Sequence, residues 1–191
     1  SVFAGWADEL RQLGIKRIDG DLIGDDLLFE PPGYGEGWSW DDQVYSYSAG
    51  FGALQFNESS AYIEIRPGKN PGSIAAAIII PTLDSMGVVS DLKTSDPEES
   101  SDVRISREGR KYFLSGQVPA GTGILYQGVA LPSPTLYFLD MLKATLVKNG
   151  IPVNGGTVDI DREDEISGEH RSALFIHESP PLREILAVML E

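Results

Sequence analysis

The stretch Leu13-Gly14-Ile15-Lys16-Arg17-Ile18-Asp19-Gly20-Asp21-Leu22-Ile23-Gly24-Asp25-Asp26 decides how this chain is organised. A helix is expected just before it, over about residues 4–13, because Trp6, Leu10 and Leu13 recur at i, i+4 and i+7 on one face. Gly14 supplies the left-handed stop, and Ile15 to Ile23 is β-like, with Ile18 before Gly20 and Leu22 and Ile23 after it. The same order returns late in the chain. A helix from Pro134 to Lys148 carries the stripe Leu136, Leu139, Leu142 and Leu146. Asn149-Gly150-Ile151 then ends it, Gly156 follows, and Val158 and Ile160 mark a short strand. Helices this short are marginal alone in water, so each apolar face needs a partner, and one shared sheet provides it. The expected fold is therefore α+β, with two helix–strand units brought together from opposite ends of the chain.

The middle of the sequence reads as an insertion into that domain. Ala61, Ile63 and Ile65 alternate with Tyr62, Glu64 and Arg66, the pattern of a half-buried strand. Pro67-Gly68 and Pro71-Gly72 punctuate a turn, and Ser73 to Ile80 has so few polar residues that it reads as a buried strand. Val103 and Ile105 lead to a hairpin tip at Arg107-Glu108-Gly109-Arg110, before Tyr112, Leu114 and Gly116. Asp91 to Asp102 is polar and acidic, and is expected to be a mobile loop. Ala173 to Ile176 reads as a further strand. A final amphipathic helix starts at Pro181, with Leu182, Ile185, Leu186 and Met189 as its face, and is still in pattern at Glu191. That reads as a piece of something longer.

Composition bounds the function. With 191 residues, 41% of them hydrophobic and 23% charged, the chain is long enough for one ordinary domain or two small ones around a real core. Asp and Glu number 29 against 15 Lys and Arg, a net charge of -14. That balance argues against nucleic acid and against an anionic membrane surface, both of which need a cationic face. Cysteine is absent, which removes thiol nucleophiles, thiolate metal sites and disulfides together. The longest apolar run, Ile74 to Pro81, is far short of the roughly 20 residues that span a bilayer. No export leader opens the chain, so either it is cytosolic or the leader lies outside this sequence.

Several residue groups invite a chemical reading. Asp19, Asp21, Asp25, Asp26 and Glu30 form the densest carboxylate cluster, but as a calcium loop it is interrupted by Ile23 and closed by Pro31-Pro32. A strand followed by a turn accounts for it better. His170 and His177 lie on either side of an expected strand and lack a third ligand for zinc. Ser90-Asp91-Leu92-Lys93 matches Ser-x-x-Lys, yet Lys93 also falls in the neighbouring Lys93-Thr94-Ser95, and one lysine cannot fill both roles. Val88, Val89 and Thr94 moreover point to strand and loop there, not helix. No glycine motif for a phosphate is present. Trp38, Trp40, Tyr45 and Tyr47 have the makings of a stacking platform for a sugar or peptide. The more economical reading is that these rings pin their own Gly- and Pro-rich loop to the domain. On these grounds no catalytic, cofactor-binding or metal-binding residue is assigned.

The order of segments carries a further signal. Leu13 to Asp26 followed by Phe29, then Gly37-Trp38-Ser39-Trp40-Asp41-Asp42 with Tyr47-Ser48-Ala49 and Ala53-Leu54, resembles low-molecular-mass class C penicillin-binding proteins, the D-alanyl-D-alanine carboxypeptidase/endopeptidases. Ile65-Arg66-Pro67-Gly68 with Gly72, Gly116-Gln117-Val118-Pro119, Gly150-Ile151-Pro152-Val153 with Gly155, and Ser179-Pro180-Pro181-Leu182 through Met189-Leu190 continue the likeness in the right order.

The resemblance implies a serine-type peptidase of peptidoglycan in which two non-catalytic domains sit between the Ser-x-x-Lys and Ser-x-Asn motifs. This chain is similar to that insertion alone, so the family's catalytic residues match no position here. It implies an α+β fold, with a discontinuous antiparallel-sheet domain of residues 1–26 and 86–180 carrying two helices. A smaller inserted β-rich domain would span residues 27–85, and residues 181–191 would begin a helix of the absent catalytic domain. It also implies an extracytoplasmic location, peptidoglycan peptides as partners through that absent domain, and no cofactor. The alternative is a free-standing module that binds a glycan or peptide with the Trp38/Trp40 loop.

Overall fold

Helix α1 (Val2–Gln12) and helix α2 (Pro134–Lys148) end in the same way. Gly14 and Gly150 take positive φ values of 81° and 83°, a backbone conformation that costs glycine little. Ile15 N–H then donates to Leu10 O at 3.0 Å and Ile151 N–H to Leu146 O at 2.9 Å, while Gly14 and Gly150 donate to Arg11 and Val147. Both ends are Schellman motifs, which satisfy the last carbonyls of a helix and turn the chain back. At its other end α2 is capped by Ser133, whose hydroxyl accepts from Leu136 N–H at 3.2 Å ahead of Pro134.

After each reversal the chain runs into a strand, and the two strands pair. A bridge joins Ile18 to Val153, and strand β1 (Leu22–Asp25) then pairs with strand β9 (Thr157–Ile160), Leu22 opposite Thr157. This ladder is parallel, because both units pass from helix to strand in the same sense. Ala7 and Leu10 of α1 share one buried core with Leu146, Ile151 and Val153, and Leu22 and Leu142 pack against it. The buried face of α1 is Phe3, Ala7 and Leu10; of the expected Trp6, Leu10 and Leu13, Leu10 is buried and Trp6 packs on Phe138, whereas Leu13 does not join the face. Leu13 lies beyond the last helical residue, where the reversal at Gly14 leaves it 54% exposed.

The intervening chain forms strands β2 (Ser60–Arg66), β3 (Ala76–Ile80), β4 (Gly87–Ser90), β5 (Lys93–Ser95), β6 (Asp102–Glu108), β7 (Lys111–Pro119) and β8 (Leu125–Ala130). Strand β2 is flanked by antiparallel β3 and β8, and β7 pairs with β6 in a hairpin. Strands β4 and β5 pair parallel with β7 in one register, Gly87 with Lys111 and Lys93 with Gln117. A bridge from Ile74 to Lys93 ties the two sheets together. The whole is an α+β fold with mostly antiparallel pairing. The computed structural model describes residues 2–28, 33–83, 85–160 and 172–189, so Phe29, Glu30 and His170 lie outside it.

Three expectations are corrected. The acidic stretch Asp91 to Asp102 is not a free loop: Leu92 is fully buried, Thr94 nearly so, and β5 lies within it. Leu92 enters the β-rich core, and the Thr94 hydroxyl accepts from Gly68 N–H at 2.8 Å, which holds the segment down. Residues 173–176 form no strand; Phe175 is held instead by ring packing on Trp6 at 6.0 Å. The stretch Ser73 to Ile80 is buried on one face only, with Ala75 and Ile79 inward and Ile74, Ile78 and Ile80 exposed.

The β-rich core runs from Val44 through Ile63, Leu92 and Tyr112 to Leu131, so sheet and core continue past residue 85. Helix α2 serves both cores, giving Tyr137 to this one and Leu146 to the other. Phe3 of α1 packs on Phe56 at 5.1 Å and on Phe138 at 4.9 Å, an aromatic seam between the two.

Leu146→Ala should therefore cost about 2–5 kcal/mol in chemical denaturation, because it opens a cavity where both halves of the chain meet. Leu13→Ala should cost less than about 0.5 kcal/mol, as a surface change does. Tyr112 gives a pH test. Burial raises its phenol above the ordinary value, and its hydroxyl donates to Ala130 O at 2.5 Å. The folded state keeps that proton where the unfolded state loses it, so stability is full below about pH 10 and falls as pH rises further. Tyr112→Phe should cost about 1 kcal/mol at neutral pH and flatten the alkaline decline.

Candidate functional site

The Gly- and aromatic-rich segment, residues 33–52, is anchored by its least conspicuous residue. Val44 is buried in the β-rich core, its carbonyl accepts from Ala130 N–H at 2.9 Å, and Tyr45 bridges to Val129. Arg107 adds a hydrogen bond to Gln43 O at 3.3 Å, and Phe51 N–H closes the loop onto Gly33 O at 3.0 Å. Of the rings expected to pin the loop down, Tyr45 does so, packed against the β-rich core, whereas Trp40 is 83% exposed and Tyr47 71% exposed and neither serves as an anchor. Trp38 is also open to solvent and tilts against Tyr34 at 5.7 Å.

Within this loop Tyr45 and Tyr47 stack at 5.6 Å with their planes 9° apart, and the Tyr47 hydroxyl donates to Asp42 Oδ1 at 2.8 Å. That hydrogen bond, with the neighbouring carboxylate charge, raises the Tyr47 phenol above its ordinary value. The stack and the hydrogen bond fix one ring's plane at the surface. Such a surface suits stacking against a planar or pyranose ligand, with Asp42 as acceptor. Sequence reading found the rings but not the Asp42–Tyr47 pair, because a contact five residues apart in a loop has no periodic signature.

The other candidate residues have different duties. Asp19 accepts from Asn154 Nδ2 at 2.9 Å and pairs with Arg17, and Asp21 Oδ1 accepts from Gly156 N–H at 2.6 Å. Asp26 accepts from the Thr135 hydroxyl on α2. The carboxylates thus staple the two helix–strand units together. Ser90 and Lys93 lie on strands with Asp91-Leu92 between them, and the Ser90 hydroxyl accepts from Leu92 N–H at 3.3 Å. The helical turn that would bring a lysine amine onto a serine hydroxyl is missing at this place. His177 packs edge-on against Trp6 at 5.5 Å.

Comparisons with known proteins place this architecture. The profile of the D-Ala-D-Ala carboxypeptidase 3 (S13) family matches residues 3–191. The D-alanyl-D-alanine carboxypeptidase DacB of Haemophilus influenzae is 24% identical over 186 residues, 96% of this chain and 38% of that protein. A crystal structure of penicillin binding protein 4 (dacB) from Haemophilus influenzae superposes with a TM-score of 0.72 at 22% identity, over 83% of this chain and 36% of that one. A second crystal structure of that protein, complexed with a β-lactam, gives 0.69 at 20% identity, over 98% of this chain and 39% of that one. The structural likeness concerns the fold. The chain spans 38% of the length of the DacB it matches.

Asp42→Asn should bring the Tyr47 ionisation back down toward an ordinary phenol, read in an alkaline ultraviolet titration that takes Tyr47→Phe as its blank. An unmoved Tyr47 titration would separate the carboxylate from the ring.

Proposed function

Since this chain belongs to the D-Ala-D-Ala carboxypeptidase 3 (S13) family, we propose that it is the non-catalytic accessory part of a serine-type D-alanyl-D-alanine carboxypeptidase/endopeptidase that remodels peptidoglycan outside the cytoplasm. The observation that carries this is the partial coverage: 96% of the chain aligns with only 38% of DacB. The positions of Ser90 and Lys93 on strands support it as well. In this reading the reacting serine and its lysine belong to the part of the relative that this chain does not match. There the serine oxygen attacks the carbonyl between the two alanines, the lysine takes the serine proton and passes it to the amide nitrogen, and the C–N bond breaks to release the terminal D-alanine. Water then hydrolyses the acyl-serine, and a β-lactam arrests the enzyme at the acyl stage. Among the described residues no helix is long and apolar enough to cross a membrane.

The same reading divides the chain into a discontinuous unit, built on α1, β1, α2 and β9, and an inserted β-rich unit. The two cores support that division, and they favour a boundary near Leu131 over one near Ser85. A second reading, a module that binds a glycan or peptide through the Trp38/Trp40 loop, is favoured by one observation, the exposure of Trp40 and Tyr47. Labelled penicillin discriminates. The 191-residue chain should give no covalent adduct in a mass spectrum, whereas the product of the whole gene should add one penicillin mass. An adduct on the short chain, or none on the long one, would remove the proposal.

A further inference from the structure

Strand β3 is apolar on both faces, and the fold buries only one of them. On the outer face of the β3–β2–β8 sheet, Ile78 lies opposite Glu64, and Glu64 opposite Tyr126. Ile78, Ile80, Tyr62 and Tyr126 are all exposed there. The charge at the centre is neutralised within the face. The Glu64 side chain is buried, its Oε1 accepts from Arg66 Nε at 2.5 Å, and its Oε2 accepts from the Tyr126 hydroxyl at 3.2 Å. In a chain of net charge -14 this is a neutral apolar strip.

The strip runs into a hollow of about 510 Å³ lined by Arg66, Lys69, Gly121, Gly123 and Ile124. Arg66 lines the hollow and pairs with Glu64 at the centre of the strip, so strip and hollow are continuous. The turn that carries Lys69 is held in place. Gly68 and Gly72 N–H both donate to Thr94 at 2.8 Å, to the hydroxyl and the carbonyl respectively. A Cβ at Gly68 would fall 2.2 Å from Ser73 Oγ, so a side chain there would have to displace that hydroxyl. The backbone that carries Lys69 is therefore held before any ligand arrives.

We propose that the hollow and strip bind a carboxylate-bearing peptide of peptidoglycan, its carboxylate against Arg66 and Lys69 and its apolar side chains along Ile124, Tyr126 and Ile78. A polyanion fits poorly, since Glu64 already offsets Arg66, Lys69 leaves the lining of the hollow a single net positive charge, and the adjoining strip is neutral. One anionic group joined to an apolar body fits both parts. Only the choice of peptidoglycan as the source rests on the proposed function.

The test is an NMR titration of the labelled 191-residue chain with diacetyl-L-lysyl-D-alanyl-D-alanine, its C-terminal amide, and acetate. Saturable shifts should appear at residues 66–69 and 121–126 with the acid. The amide, and the acid on Lys69→Glu, should bind up to about fivefold more weakly, the upper range for one solvent-exposed ion pair. Lys69→Gln should fall between, with an unchanged far-ultraviolet spectrum showing that the fold is intact. Equal binding of acid and amide, equal binding of acetate, shifts at other residues or no saturation would each overturn the inference. Penicillin acylation of the whole-gene product reads the proposed function separately, so either idea can fail alone.

Discussion

The pairing of β1 with β9 is the contact on which the rest depends, because it joins segments 135 residues apart. Closing so long a loop costs entropy that grows only with the logarithm of its length. A two-stranded ladder cannot repay that cost by its own hydrogen bonds. What holds it is the burial of Ala7, Leu10, Leu146, Ile151 and Val153 in one core. Around that core, Asp19 and Asp21 reach across to Asn154 and Gly156, and Lys143 Nζ donates to Gly155 O at 2.6 Å. Gly155 itself must be glycine, since a Cβ there would meet Gly20 O at 2.3 Å. The two backbones touch at this point, and everything between them is set out from it.

Helix α2 transmits that placement to the β-rich unit. A helix that serves a single core shows one apolar stripe; α2 buries Thr135, Leu139 and Leu146 on one face and Tyr137 on the opposite one. Tyr137 faces the sheets while Leu146 faces α1, so the helix is a wall shared by two cores. The seam of Phe3, Phe56 and Phe138 lies along the same wall. Aromatic packing of this kind resists sliding, because edge-to-face and offset contacts lose energy when rings shift. Strip, hollow and aromatic loop are thereby held on one frame.

The openness of that frame fits a part designed to work with other surfaces. The exposed rings of Trp40 and Tyr47, the neutral strip beside Ile78 and the exposed Leu182, Ile185 and Leu186 of helix α3 (Leu182–Met189) all present apolar area open to a ligand or a partner surface.

Much of this was legible in the sequence. The Leu-Gly-Ile and Asn-Gly-Ile stops, the alternation in β2 and the tip at Gly109 are set by residues within a few positions of one another, and local sterics and hydrogen bonding decide them. The likeness of Leu13–Ile23 to the region after Gly150 even pointed to the long-range pairing. Other features had no local cause. That Leu13 is exposed while Phe3 is buried depends on where α2 lies, and that Leu92 is drawn inward from an acidic stretch depends on a core assembled from distant strands. The joining of Arg66 and Lys69 to Gly121–Ile124 arises only when β2 and β8 lie side by side. Sequence by itself determined the two long helices with their glycine stops, strand β2, the hairpin tip at Gly109 and the family. Tertiary structure alone decided which apolar face stays open and which charges meet, because those depend on neighbours that no spacing along the chain records.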